Sequence, residues 1–235
     1  MNWEWEIIWQ YLPKLMEGAW LTLELVFVSG LIGVFLAVPL ALMRASENVW
    51  LRVLPVGYIF FFRGTPLLVQ IFLIYYGASQ FDVVKESWIW PILREPYWCA
   101  IIAFSLNTAA YSAELIRGAI QAIPKGEIEV SQALGMSKPT MIRRIVLPRA
   151  FGIVFPAYGN ELLLMLKGSA LASTITLLDL TGMARTIIAR TYTPLEMFFA
   201  AGMVYLIIAA VMIGCFKLLE HKINRYQFYN PDTAK

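Results

Sequence analysis

The sequence predicts an all-α integral membrane protein with about five transmembrane helices and a cytoplasmic helical elbow. Three observations carry that prediction. Of the 235 residues, 59% are hydrophobic and only 15% are charged. Mean hydropathy is +0.64, far from a soluble average. The apolar residues fall into runs of about 20, the length that crosses the hydrocarbon core as a helix. One stretch, Glu129 to Pro148, breaks this habit: it is polar and basic between two apolar runs. Five spans leave no room for a separate soluble domain. Residues 1–235 therefore read as one transmembrane domain: an N-terminal segment 1–18, a five-span core 19–216 with its elbow at 122–150, and a tail 217–235.

Residues 1–17 mix apolar and charged groups around Trp3, Trp5 and Trp9. Tryptophan favours the membrane–water boundary, so this segment reads as an interfacial helix or else an unstructured leader. Glu4 and Glu6 stand where a cleavable signal has a basic region, so no such signal is expected. The first span covers about Ala19 to Met43. Gly18, Thr22, Ser29 and Gly33 share one stripe of it, and small residues there let helices approach closely in lipid. Glu24 lies near the outer end, within reach of water.

The second span covers about Val53 to Gly77 and is interrupted by R-G-T-P, Arg63 to Pro66. Pro66 removes a backbone donor and frees a carbonyl one turn back. A helix broken at mid-depth is tolerated only against protein or a water-filled path. Arg63 then faces that path or a partner, or, if the span starts later, the cytoplasmic headgroups. An outer loop with Trp88, Trp90, Pro91 and Pro96 follows.

The third span, about Tyr97 to Gln121, carries Asn107, Tyr111 and Glu114 on one polar stripe. A carboxylate inside the hydrocarbon costs about 2.5–3.5 kcal/mol, so it tends to face a cavity or a partner. Glu114 also suits a structural ion pair with Arg117 at the cytoplasmic edge. The fourth span, about Phe151 to Ala172, places Asn160 and Lys167 on one face and Glu161 about 100° round from it. Pro156 is a candidate kink. Residues 173–195 read as an outer loop with a re-entrant or lateral helix capped near Asp179. The fifth span is about Glu196 to Phe216.

Within the elbow, E-V-S-Q-A-L-G-M-S-K-P-T-M-I-R-R-I-V-L-P reads as two short helices and a tight turn. Gly135 supplies a left-handed cap. Ser137 caps the second helix, Pro139 sits in its first turn, and Pro148 ends it. The same stretch also looks like a DNA-binding helix-turn-helix with Arg143 and Arg144 on phosphates, but the flanking sequence offers no soluble helical domain to support one.

Lys and Arg set the orientation. Arg44, Arg52, Arg117, Lys125, Lys138, Arg143, Arg144, Arg149, Lys217, Lys222, Arg225 and Lys235 fall on one side. Lys14, Lys85, Arg94, Arg185 and Arg190 fall on the other, partly offset by Asp82, Glu86 and Glu95. The elbow and C-terminus are thus expected in the cytoplasm and the N-terminus outside. Cys99 and Cys215 lie far apart in apolar runs, with no zinc or redox spacing, and no metal is expected. His221 reads as an interfacial residue. The sequence lacks a G-x-x-x-x-G-K-[ST] loop, so if ATP drives this protein another chain binds it.

These residues carry a resemblance that covers essentially the whole chain. The elbow resembles the E-A-A…G…I-x-L-P loop of membrane subunits of ABC importers, matched by Glu129, Gly135, Ile145, Leu147 and Pro148. Val130 and Ser131 replace the two alanines. R-G-T-P-L-L-V-Q-I-F-L-I-Y-Y-G (Arg63 to Gly77), Y-S-A-E-L-I-R-G-A-I-Q-A-I-P-K-G-E-I-E (Tyr111 to Glu129) and G-A-W-L-T-L (Gly18 to Leu23) look like the polar amino acid uptake branch. Within it the chain is most similar to M-type permeases of histidine, arginine and ornithine importers, or of opine importers.

The resemblance implies a type I ABC importer-like fold in the bacterial inner membrane. It implies a second, Q-type permease subunit, two ATP-binding subunits and a periplasmic solute-binding protein, with no nucleic acid as partner. This chain is then no enzyme and holds no cofactor, ATP and magnesium belonging to the ATPase. The elbow, with Gly126, Glu129, Ala133, Leu134, Gly135 and Met136, is the part expected to dock on that ATPase. For the substrate path the candidates are Asn107, Tyr111, Glu114, Asn160 and Glu161, the two carboxylates balancing a cationic side chain. A competing reading is an ion-gradient-driven transporter with Glu114, Glu161 and Lys167 as a proton relay. A third is a membrane-anchored DNA-binding regulator.

Overall fold

The structure is a computed structural model that describes residues 3–46 and 48–223. Among these residues all regular structure is helical. Helix α1 runs Trp5–Arg44 and α2 runs Val49–Gly64. Helix α3, Leu67–Phe72, continues as a π-helical turn, Leu73–Gly77. Two short helices, α4 (Asp82–Lys85) and α5 (Trp90–Leu93), lie in the loop before α6, Pro96–Gln121. The elbow holds α7 (Lys125–Ala133) and α8 (Lys138–Met141). Helix α9 is Leu147–Gly168, followed by a 3₁₀ segment, Ser169–Ile175. Helices α10 (Leu180–Thr191) and α11 (Pro194–Ile223) complete the chain.

Three of these helices are long and apolar enough to cross a membrane, and five spans result if each of two bent pairs counts as one. The packing sets their directions. Ala41 at the end of α1 clusters with Ala119 at the end of α6 and with Val146 and Ala150 at the start of α9. Leu15 near the start of α1 clusters with Met197 near the start of α11. Helices α1, α6 and α11 therefore run one way and α9 runs back. The central cluster, with Phe104, Leu25 and Leu166, joins α1, α6 and α9.

Lipid offers helices no hydrophobic reason to associate, so close packing and polar contacts decide which faces meet. The small-residue stripe on α1 does this. A Cβ on Gly33 would lie 2.8 Å from the Thr108 side chain of α6, and one on Gly18 would lie 2.9 Å from the Asp179 carbonyl. Thr22 Oγ1 accepts from the Leu180 N–H at 3.0 Å. Large apolar side chains such as Phe35, Trp50 and Phe60 remain exposed, facing lipid or partner surface.

Several boundaries differ from expectation. From Trp5 onward the N-terminal segment is not a separate interfacial helix, because α1 is one helix from Trp5 through Pro13 to Arg44. At 40 residues it is about 60 Å long, twice the hydrocarbon thickness. Glu24 is exposed, as expected, and its carboxylate also accepts from the Tyr97 hydroxyl at 2.7 Å. The second span starts earlier, at Val49, and does not continue straight past the R-G-T-P break. There α3 turns away from α2 by 107°, since Thr65 and Pro66 are both extended. The lateral helix after Asp179 is present as expected: the Asp179 carboxylate caps α10 by accepting from the Thr181 and Gly182 N–H groups, each at 3.2 Å. The tail beyond Ile223, with Arg225 and Lys235, lies outside the described residues.

Candidate functional site

The break after α2 strands carbonyls that a continuous helix would have bonded. Thr65 answers part of this, with its N–H and its hydroxyl both donating to the Phe61 carbonyl at 3.1 and 2.8 Å. Gln70 on α3 answers the rest. Its Nε2 lies 2.8 Å from the Phe62 carbonyl, 3.1 Å from that of Thr65 and 2.9 Å from Thr65 Oγ1. Its Oε1 accepts from Asn107 Nδ2 of α6 at 2.9 Å. Gln70, 2% exposed, is thus the pin that fixes the break against α6. Sequence reading passed over it, although a lone amide four residues past a helix-breaking proline was the available signal.

Two cavities open beside this pin. The first, about 270 Å³, is lined by Thr65, Pro66, Asn107, Tyr111, Glu161 and Leu164, among others. Among the described residues no Lys or Arg nitrogen lies within 4.0 Å of the Glu161 carboxylate. The second, about 440 Å³, lies toward the elbow and includes Arg44, Phe60, Arg63, Gly64, Tyr111 and Glu114 in its wall. There Glu114 Oε2 accepts from Arg117 Nε and Nη2 at 2.9 and 2.7 Å, and Arg44 Nε stands 3.5 Å from Oε1. Both readings of Glu114 therefore meet: it is ion-paired and it lines a cavity. The Arg63 guanidinium lies over the Tyr111 ring, 5.2 Å from its centroid.

The structure thus brings Asn107, Tyr111, Glu114 and Glu161 to the walls of two adjoining cavities. It does not bring Asn160, which is exposed and lines neither cavity. Glu161 and Met165, one turn apart, face α6 across the first cavity, and Asn160 is rotated about 100° away from Glu161. Lys167 follows Asn160's face and lines a different cavity, of about 370 Å³, against Gly202, Tyr205 and Leu206 of α11.

In the elbow, Gly135 takes φ +74°. The Gly135 N–H bonds to the Gln132 carbonyl at 2.9 Å and the Met136 N–H to that of Ser131 at 3.1 Å, the paired bonds of a Schellman cap. Ser137 holds the N-cap position of α8, but its hydroxyl pairs with Thr140 Oγ1 at 2.8 Å and caps no backbone N–H. Pro148 does not end that helix. A π-helical segment, Ile142–Val146, links α8 to α9, and Pro148 falls in the first turn of α9. The wider π turn accommodates a ring that would collide with a tight α-helical ladder. Arg143 and Arg144 sit on this segment, so the second elbow helix is the root of a membrane span and not half of a self-supporting helix-turn-helix.

The elbow packs Ile128 and Met141 against the cluster at the ends of α1 and α6, is tied by one ion pair, and is open at its tip. Arg149 donates to Glu127 from Nε at 3.0 Å and also from Nη2. That pair holds the Glu127 carboxyl below its ordinary range and raises Arg149. Gly126, Glu129, Ala133, Leu134 and Gly135 are exposed and Met136 is half-buried. Val130 and Leu134 leave 59% and 72% of their surfaces uncovered, an apolar tip on a polar elbow.

Comparison with known proteins adds the family. Residues 29–225 match the family described as binding-protein-dependent transport system inner membrane component. The chain is 48% identical over 213 residues to an octopine transport system permease protein of Rhizobium radiobacter, covering 91% of this chain and 87% of that one. It is 41% identical to the arginine ABC transporter permease protein of Escherichia coli K12, covering 95% and 100%. A crystal structure of an amino acid ABC transporter with histidines superposes with TM-score 0.84 at 33% identity, covering 94% and 100%. A broken second helix, a capped elbow continuous with a span, and similarity along nearly the whole chain agree: this chain belongs to the binding-protein-dependent transport system inner membrane component family.

Proposed function

We propose that this chain lines the translocation path of an ATP-driven importer for basic amino acids or the related opines, and couples that path to a separate ATPase through its elbow. The observation that carries this is mechanical. From Lys138 the chain is helical through the π segment and along α9, so one continuous body holds the elbow at one end and Glu161 at the other. A push on the elbow therefore reaches the wall of the Asn107–Glu161 cavity directly. Relatives named for octopine, nopaline and arginine support a cationic, carboxylate-bearing substrate. Glu161, in no ion pair among the described residues, is the group placed to balance the substrate's positive charge, with Asn107 and Tyr111 lining the route.

On this reading ATP and magnesium sit on two partner ATPase subunits, which receive Gly126, Glu129, Ala133, Leu134, Gly135 and Met136 of the elbow. A second permease subunit of the Q type completes the pore, and a periplasmic solute-binding protein delivers the amino acid. The N-terminus faces the periplasm, and the elbow and C-terminus face the cytoplasm. The ion-gradient relay is set aside: Glu114 is held by Arg117, and Lys167 lies apart against α11.

The test is uptake of labelled arginine and histidine into vesicles that carry the co-assembled complex. ATP-dependent uptake that falls at least about tenfold in Glu161→Gln supports the path, the loss of one charge-assisted contact being of that size. Uptake by this chain alone, driven by a proton gradient, would overturn the proposal.

A further inference from the structure

We propose that Tyr111, clamped by Arg63, is the elbow-side gate of the path, separating a cavity that accepts a cation from one that repels it. This rests on reading the Asn107–Glu161 cavity as part of the substrate route. Among the described residues Tyr111 is the one that lines both cavities, which places it at the boundary between them. On one side stands Glu161, with no ion partner within 4.0 Å among the described residues. On the other, Arg44, Arg63 and Arg117 gather round the single carboxylate of Glu114. The charge of Arg63 reaches both carboxylates, but only the Glu114 side adds Arg44 and Arg117, so the balance shifts from negative toward positive across one side chain.

The clamp has a built-in release. Arg63 occupies the last turn of α2, immediately before the extended Thr65–Pro66 joint, whereas Tyr111 belongs to α6. Its guanidinium lies 5.2 Å from the ring centroid, within cation–π range. While it rests there, a cationic substrate finds the ring face already taken and a positive field beyond it. Helix α2 stays with α6, because the Tyr58 hydroxyl donates to the Leu106 carbonyl at 2.6 Å and Ile59 shares a cluster with α6 and α9, so it is the exposed Arg63 side chain that swings off the ring when the elbow tilts α9. Tyr111 and Arg63 then part. The opened ring passes the cation, and the positive vestibule discourages its return.

The experiment reads access, not transport. Leu164 lines the Glu161 cavity and is 60% exposed, so Leu164→Cys is a mild reporter there. It is placed in a Cys99→Ala, Cys215→Ala background within the co-assembled complex, without ATP. An impermeant, charged thiol reagent is applied from the elbow side of the membrane. Labelling is expected to be slow in the parent and in Tyr111→Phe, which keeps the ring face. It is expected to rise about two- to fivefold in Arg63→Gln and Tyr111→Ala, the population change that loss of an exposed cation–π contact produces. Equal rates in parent, Arg63→Gln and Tyr111→Ala would overturn the gate. If Tyr111→Ala fails to assemble, Arg63→Gln decides alone, because that exposed side chain makes no hydrogen bond to the described residues that the change would remove. Excess arginine provides the separate check on the underlying reading. If it never slows Leu164→Cys labelling in any variant, the cavity is not the substrate route. If it protects but the rate ignores residues 63 and 111, the route stands and the gate falls.

Discussion

A glutamine buried in a membrane helix is costly unless both ends of its amide are bonded. Gln70 meets that condition only because the chain is broken beside it, with Phe62 and Thr65 supplying acceptors and Asn107 a donor. Gln70→Leu removes the donor and the acceptor together and strands those groups where water is scarce. Each unmade bond costs about 1–3 kcal/mol, so the thermal midpoint of the detergent-solubilised complex should fall by several degrees and uptake should drop. Gln70→Glu keeps the acceptor for Asn107 but faces the Phe62 and Thr65 carbonyls with oxygen, so it should not rescue. Gly135 is the other residue whose identity is dictated by backbone. At φ +74° a β-branched side chain costs about 1–2 kcal/mol. Open space surrounds the glycine in this chain, so Gly135→Val should strain the cap without a clash inside the subunit. The expected result is lost ATP-dependent uptake together with a weakened elbow–ATPase contact, measured by co-purification of the ATPase.

At the scale of elements, the joint between α8 and α9 matters more than either helix. A π segment keeps the chain helical through Pro148, so the elbow and the cavity wall move as one body. Two glycines inserted after Val146 should break that body, since each costs about 1 kcal/mol in a helix and adds freedom. ATP hydrolysis by the assembled complex should persist while uptake falls, a split that simple misfolding does not give. The Glu127–Arg149 pair ties α7 back to the same joint. Its pH dependence has a definite sign. The arginine hydrogen bond depresses the Glu127 carboxyl in the folded state. The pair's contribution is therefore complete above the ordinary glutamate value of about 4.3 and disappears as pH falls through the depressed one. A spin label at Gln132→Cys should be equally restrained at all pH values above about 5 and gain mobility only in more acid solution. Glu127→Gln should remove that transition.

At the scale of the whole molecule, the all-helical class, the small-residue stripe, the Asp179 cap and the Gly135 turn were legible because each follows from local chemistry. A cap needs a carboxylate or a glycine at one position, and a packing stripe needs small residues at helical spacing. What stayed hidden depended on partners distant in sequence: the Gln70–Asn107 bond, the 107° turn at Pro66, and the rotation of α9 that turns Asn160 away from the cavity Glu161 lines. Proline alone says that a ladder breaks, not how far the chain turns. That turn raises the question of how often the chain crosses. The 16 residues of α2 reach about 24 Å, short of the roughly 30 Å core, so α2 and α3 together must complete one crossing or turn back. Packing decides for a crossing: α1 and α6 run the same way, with their C-terminal ends in one cluster, so the chain between them must return to the far side. Exposed single-cysteine reporters test this. Trp9→Cys, Val83→Cys and Tyr192→Cys should react from one side of the membrane, and Trp50→Cys and Leu134→Cys from the other. These parent side chains are 70, 83, 87, 87 and 72% exposed, so each tolerates the change. Val83→Cys labelling together with Leu134→Cys would mean that the bent pair re-enters, and the alternation α1, α2 with α3, α6, α9, α11 would be wrong. Val83→Cys on the opposite side fixes five crossings, puts the elbow and the end of α11 on one face, and leaves the Tyr111 partition between that face and the Glu161 cavity.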